Sequence, residues 1–253
     1  MIISVDNAQL KRLRWLLSDA KVRQAEQAFV IEGKTPVADV LNRFPSRIEV
    51  LFVSHESTAD WPSSAVVVAD KVLQHCSTLA HGTEAMAIVS LPQGSLVEML
   101  ACPRPLVLLD AVQKPDNVGA ILRSAAAFGV GGVLCGPGTA DPFHPVSVRA
   151  MGGNVFQCPI AKVRLDDAVA LKSRPWFCLA PQATRDFSEV EGSVLGWILG
   201  NEATGVSAQW QTALSTTSLR IPMDPGVDSL NVAVGAGIVF FEWFKNQSKL
   251  GIL

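Results

Sequence analysis

Short unbroken apolar runs alternate along this chain with stretches in which apolar residues recur every three or four positions. The first kind marks strands buried on both faces, and the second marks helices with one inward face. Residues 8–28 place Leu10, Leu13, Leu17 and Ala20 at helical spacing and predict one amphipathic helix. Phe29-Val30-Ile31 follows as a strand and Glu32-Gly33-Lys34 as a turn. Thr35 is placed to cap a helix that begins at Pro36 and turns Val37, Val40 and Leu41 inward. Strands are expected at 48–53, 65–69 and 85–91, with a short helix at 71–80. This makes a small alternating α/β unit. Pro92-Gln93-Gly94-Ser95 opens a connection and Pro103-Arg104-Pro105 stiffens its far end, so the expected domains are 1–95 and 104–253.

The second domain alternates again. A strand at 106–109 runs into Asp110, then into Pro115-Asp116-Asn117 as a turn and helix-cap signal, then into a helix over 118–128 that stops at Gly129. Further strands are expected at 132–135, 155–160, 176–180, 197–199 and 218–221, and further helices at 146–151, 166–171 and 231–246. Alternation at this spacing predicts a mainly parallel sheet with helices on both faces. Within the first helix Arg123 is the one charge between Asp116 and Val130. A lone arginine amid alanine and isoleucine is either an ion-pair partner in a packed core or a working group at a site.

Composition narrows the picture. Of 253 residues 49% are apolar, enough for a sizeable core, yet no apolar run reaches membrane length. The N-terminal stretch has no long apolar segment ahead of its charges, so no signal peptide is expected. Five cysteines without a CxxC pair point to reduced thiols and a cytoplasmic location. The net charge of −2 announces no nucleic-acid binder, but charge is uneven: Lys11, Arg12, Arg14, Lys21 and Arg23 crowd the first helix. That crowd is a solvated face or a phosphate-contacting one.

Several chemistries lack their signatures. The chain has no phosphate-binding GxxxxGK[ST] loop, no HExxH and no GxSxG elbow, and its four histidines have no ligand spacing, so no metal is expected. Gly129-Val130-Gly131-Gly132 precedes a strand instead of following one and is not a dinucleotide fingerprint. Two other runs stand out. Gly200-Asn201-Glu202-Ala203-Thr204-Gly205 places an acid between glycines after a buried strand. Residues 221–233 form a turn-rich loop that opens onto a helix with Ser229 as its expected cap. With the Asn117 run, these make three loops at the C-terminal ends of predicted parallel strands, where such sheets bind ligands.

In this order and spacing, the three runs resemble the motifs of the SpoU-type RNA ribose 2′-O-methyltransferases of the SPOUT superfamily. The match lies in Asn117-Val118-Gly119-Ala120-Ile121-Leu122-Arg123, in Gly200 to Gly205, and in Ile221-Pro222-Met223 with Ser229-Leu230-Asn231-Val232-Ala233. Asp141-Pro142-Phe143 and Arg149-Ala150 are similar to the family's linking segment, and Phe29 to Gly33 carries a looser similarity to the substrate-binding domain of rRNA-modifying members. Asn201 departs from a more usual Ser or Ala, and Met151-Gly152 from a Ser followed by a small residue. The resemblance implies an α/β SPOUT trefoil-knot catalytic domain with a parallel sheet, preceded by a smaller α/β substrate-binding domain. It implies S-adenosylmethionine as cofactor, with Gly200, Ile221, Ser229 and Leu230 around it, and a homodimer whose site lies near the subunit interface. Asn117, Arg123, Glu202 and Asn231 are then the catalytic group. RNA is the partner, no membrane is involved, and the additional N-terminal domain favours 23S rRNA over tRNA. Arg12 and Arg14, beside Arg123, are the candidate RNA contacts. A guanidinium is ordinarily protonated well beyond physiological pH. Arg123 therefore either loses a proton with help from the substrate or stays cationic and steadies the developing alkoxide.

Overall fold

A computed structural model describes residues 1–249 apart from 93, 191, 193 and 225. The last residues of the expected second domain, Gln93 of the connection and Pro225 of the third loop thus lie outside the described residues. In chain order the elements are α1 (Ala8–Ser18), α2 (Ala20–Glu26), β1 (Ala28–Glu32), α3 (Lys34–Arg43), β2 (Ile48–Ser54), β3 (Val66–Val68), α4 (Asp70–Cys76) and β4 (Ala85–Ser90). They continue with α5 (Leu96–Ala101), β5 (Leu106–Leu109), α6 (Pro115–Ala127), β6 (Gly132–Cys135), α7 (Pro145–Met151) and β7 (Ile160–Lys162). Last come α8 (Ala168–Leu171), β8 (Trp176–Leu179), β9 (Gly196–Leu199), α9 (Ala208–Leu214), β10 (Thr217–Leu219) and α10 (Val232–Lys249). The contacts gather into two units. Unit 1 comprises Met1–Leu91 with Asp141–Phe156, and unit 2 comprises Pro92–Ala140 with Gln157–Leu253. The segment from Asp141 to Phe156, read from sequence as part of the second domain, thus packs within unit 1.

Unit 1 is built on a mixed sheet in the order β1-β4-β2-β3, with β4 antiparallel to β1 and β2, and β2 parallel to β3. Leu10, Leu13, Leu16 and Leu17 of α1 pack with Phe52, Met86 and Ile88 in its core. The single helix expected over 8–28 is two helices. Asp19 takes an extended backbone (φ −127°, ψ 118°) and its carboxylate accepts from the Lys21 N–H at 2.7 Å, capping α2. Ser18-Asp19 favours such side-chain capping over a helix interior. The break lets Arg23 turn inward. Its side chain is 4% exposed, its Nε and Nη2 donate to Asp141 Oδ2 at 2.9 and 2.7 Å, and its Nη1 donates to the Leu16 carbonyl at 2.6 Å. Helix α3 starts at Lys34 and not at Pro36, because Gly33 holds φ at 108°, a backbone open to glycine, and serves as the cap.

Unit 2 carries a six-stranded sheet in the order β10-β8-β9-β5-β6-β7, parallel throughout. β5, β6 and β9 are buried at every position, which explains their unbroken apolar runs. The strand expected at 155–160 begins only at Ile160, because Pro159 has no N–H for a ladder. Its carbonyl still accepts from Val133 N at 2.9 Å. The chain leaves β5 in one direction, through β6 and β7, and returns to build β8, β9 and β10 on the other side. β5 and β9 therefore flank the point where the strand order reverses, and their C-terminal loops open side by side.

Candidate active site

Helix α6 begins three residues earlier than its pattern suggested, at Pro115 instead of Val118. Pro115 takes the first position, where a missing N–H costs nothing, and Asn117 falls in the first turn, buried at 5% exposure. Asn117 Nδ2 donates to Glu202 Oε1 at 2.6 Å, and Asn117 Oδ1 accepts from Asn231 Nδ2 at 2.9 Å. Asn231 Oδ1 in turn accepts from the N–H groups of Ala233 and Val234 at 2.9 and 3.3 Å. Asn231 therefore caps α10, the role expected of Ser229. The orientation of both amides follows from the two ends of this relay. A carboxylate can only accept and a backbone N–H can only donate, so each amide has one way to lie between them. Three loops, from β5, β9 and β10, are joined by one hydrogen-bond chain.

Glu202 ends that chain at the N-terminus of α6. Partial burial alone would raise its carboxyl. Hydrogen bonds from Asn117 and from the backbone N–H groups of Glu202, Gln113 and Lys114 outweigh this and hold it below the ordinary carboxylate value. The positive end of a helix favours the anion further. Two residues that sequence reasoning did not assign to the site shape its loops. Asn201 Nδ2 donates to the carbonyl of Ala111 at 3.0 Å, a residue with φ of 54°, while Asn201 Oδ1 accepts from Ala203 and Thr204. Its departure from Ser or Ala thus clasps the β5 and β9 loops together, which the shorter side chains do not reach to do. Asp110, buried at the end of β5, accepts from the Ser207 N–H at 2.6 Å and fixes the far end of the β9 loop. An acid closing an apolar strand was the signal available for it. Gly200 leaves no room for a Cβ against the backbone of Gly205 and Val206.

Beside this chain lies a cleft of about 780 Å³. Gly200, Ile221, Ser229 and Leu230 line it, with Glu202 and Asn231 at its edge. Leu179 and Ile198 add apolar wall. Among the described lining residues Lys114 is the one cation, against Glu202 and Asp228. That balance suits a cationic or neutral ligand with an apolar body better than a pyrophosphate. Arg123 stands apart. It sits six residues beyond Asn117 on α6, about 120° around the helix, is exposed, does not line the cleft, and its side chain hydrogen-bonds to no other described residue. In unit 1, Arg12 forms ion pairs with Glu26 at 2.6 Å and Glu49 at 2.8 Å, and Arg14 donates to the Val5 carbonyl at 3.2 Å. The basic helix thus holds guanidiniums already engaged inside their own unit. Among the described residues no group of His, Cys, Asp and Glu is arranged to hold a metal ion, and no helix is long and apolar enough to cross a membrane.

The SpoU rRNA methylase family model matches residues 104–241, more than half of the chain and all three loops. The chain belongs to the SpoU rRNA methylase family. Among curated SpoU relatives is the 23S rRNA (guanosine(2553)-2′-O)-methyltransferase RlmP of Bacillus subtilis (strain 168), 28% identical over 235 residues, which span 89% of this chain and 92% of that one. The AdoMet-bound rRNA methyltransferase from Sinorhizobium meliloti superposes with a TM-score of 0.81 at 25% identity, over 97% of each chain. The SpoU methyltransferase AviRb from Streptomyces viridochromogenes, solved with the cofactor AdoMet, shares the fold with a TM-score of 0.82 at 23% identity, over 96% of this chain and 98% of that one. The SpoU fold is an α/β SPOUT architecture, here with its parallel sheet in unit 2.

Proposed function

We propose that this protein transfers a methyl group from S-adenosylmethionine to a ribose 2′-hydroxyl of ribosomal RNA, 23S rRNA first among candidates. The observation that carries the proposal is the Glu202–Asn117–Asn231 chain, which draws three strand-end loops together beside an apolar-walled cleft poor in cations. The names of the SpoU relatives support the same reaction and cofactor. Gly200, Ile221, Ser229 and Leu230 would hold the cofactor, which supplies a methyl activated by its sulfonium charge. Glu202, kept ionised by its donors, orients Asn117 and favours a cation in the cleft. Arg123 is assigned the electrostatic role. Its exposed guanidinium, free of a carboxylate partner, is available to grip an incoming nucleotide and steady the oxyanion that forms.

The same reading carries a trefoil knot in the C-terminal part of the chain, a cytoplasmic location and a homodimer. The separation of Arg123 from the cleft supports the dimer, since a site shared between two copies brings an exposed arginine of one toward the cleft of the other. The deciding measurement is incorporation of labelled methyl into deproteinised rRNA and tRNA, followed by mapping of alkali-resistant linkages. Arg123→Ala is expected to lower turnover on the order of 100-fold while calorimetric affinity for S-adenosylmethionine stays the same, because Arg123 does not line the cleft. Arg123→Lys keeps the charge without the planar fork, and wild-type turnover in that variant would exclude a bidentate clamp. Label found in tRNA alone moves the substrate class. Absence of transfer to any RNA refutes the reaction.

A further inference from the structure

In unit 1, Arg43 and Arg47 differ from the basic residues that find a carboxylate or carbonyl partner. Arg12 and Arg23 face carboxylates, Arg14 a carbonyl, and Lys11 and Lys34 pair with Asp6 and Asp60. Arg43 and Arg47 have no acidic partner among the described residues. Instead each lies on an aromatic ring: the Arg43 guanidinium carbon is 5.3 Å from the centre of Phe44, and that of Arg47 is 5.6 Å from the centre of Phe156. The two rings meet at 5.3 Å, and Phe156 is backed at 6.1 Å by Phe29, which is fully buried. Both arginines are exposed and both outer rings half-buried. The sequence brings the set together from the end of α3 (Arg43-Phe44-Pro45-Ser46-Arg47) and from the segment after α7.

We propose that Arg43, Phe44, Arg47 and Phe156 form an RNA-docking surface that holds single-stranded nucleotides by stacking and by phosphate contact. The proposal rests on the RNA substrate argued above and places its docking on this face of unit 1 instead of the basic α1 helix. A guanidinium attracted to a ring face has part of its rotamer freedom restricted before binding, while its N–H groups remain available to a phosphate. Aromatic rings interleaved with arginines are the arrangement on which unpaired bases stack, with little dependence on base identity. Phe29, buried in the core, backs Phe156 from beneath. Two unpaired cations on adjacent rings complement a polyanion whose charges repeat along its backbone.

The test titrates the full-length protein with deproteinised 23S rRNA and with poly(U) at several salt concentrations, and in parallel with S-adenosylmethionine. Arg43→Ala with Arg47→Ala is expected to weaken binding to both RNAs on the order of 100-fold and to flatten the log–log salt dependence by about two. Cofactor affinity should be unchanged, which reports an intact unit 2, and an unchanged far-UV spectrum reports an intact unit 1. The double lysine variant should keep the salt slope and recover only part of the affinity, and full recovery would overturn the stacked geometry. Phe44→Leu, which keeps apolar volume, should lose poly(U) affinity without a change in salt slope. A double alanine variant that binds RNA like the wild type overturns the surface and leaves the methyltransferase reading standing. A wild-type protein that binds neither RNA overturns both.

Discussion

Asn117 is a residue for which few substitutes exist. It must donate to a carboxylate on one side and accept from an amide on the other, and only a carboxamide of this length does both from the first turn of α6. Glu202 sets the pH behaviour of that arrangement. Its folded value lies below the ordinary 4.5, so it contributes stability above that value, and the contribution is lost as pH falls through the depressed value. Urea midpoints of the wild type and Glu202→Gln should therefore differ steadily from pH 6 to 8 and converge below about 4.5. A gap that persists unchanged into acid would show that the charge of Glu202 is not what the loops use. Asn117, Glu202 and Asn231 were legible as polar residues at strand ends. The clasp made by Asn201 was not, because its partner is a backbone carbonyl that no side-chain pattern announces. Arg123 was legible as an isolated charge, but its exposure away from the cleft is a matter of helix phase that the spacing alone left open.

At the scale of elements, the break between α1 and α2 decides how unit 1 closes. Arg23 caps the end of α1 through the carbonyl of Leu16 and reaches a carboxylate 118 residues away. Arg23→Ala leaves Asp141 Oδ2 and the Leu16 carbonyl without this donor in a part-buried site, and is expected to cost roughly 2 kcal/mol in denaturant unfolding. A loss below about 1 kcal/mol would mean that water replaces the guanidinium freely. The sequence showed Arg23 as one more member of a basic face. Helical spacing cannot reveal a cap-induced turn, and an ion pair across so long a separation leaves no local trace. The strands were easier to read. Burial on both faces removes polar residues from β5, β6 and β9, so their apolar runs survive as plain signals.

For the whole molecule, the parallel sheet followed from alternation, while the strand order did not, because β5 pairs with β6 and β9 across very different lengths of chain. The outer surface of unit 2 carries exposed apolar residues at Val234 and Phe241, seven apart on α10, with Phe128, just past the end of α6, against Phe241 at 5.7 Å. Were this face the interface of the homodimer proposed above, Phe241→Asp should convert the particle to one chain by light scattering, keep its far-UV spectrum and lose methyl transfer. A dimer unaffected by the change would place the interface elsewhere. The relay that ends at Asn231 also has a temporal meaning. Asn117 and Asn231 are 114 residues apart, and contacts at such separation form late in folding. During synthesis the β5 and β9 loops emerge well before α10, so the nascent chain has its strands but not its last link. The cleft that Ser229, Leu230 and Asn231 help to line is therefore completed from the part of the chain made after all the strands of the sheet.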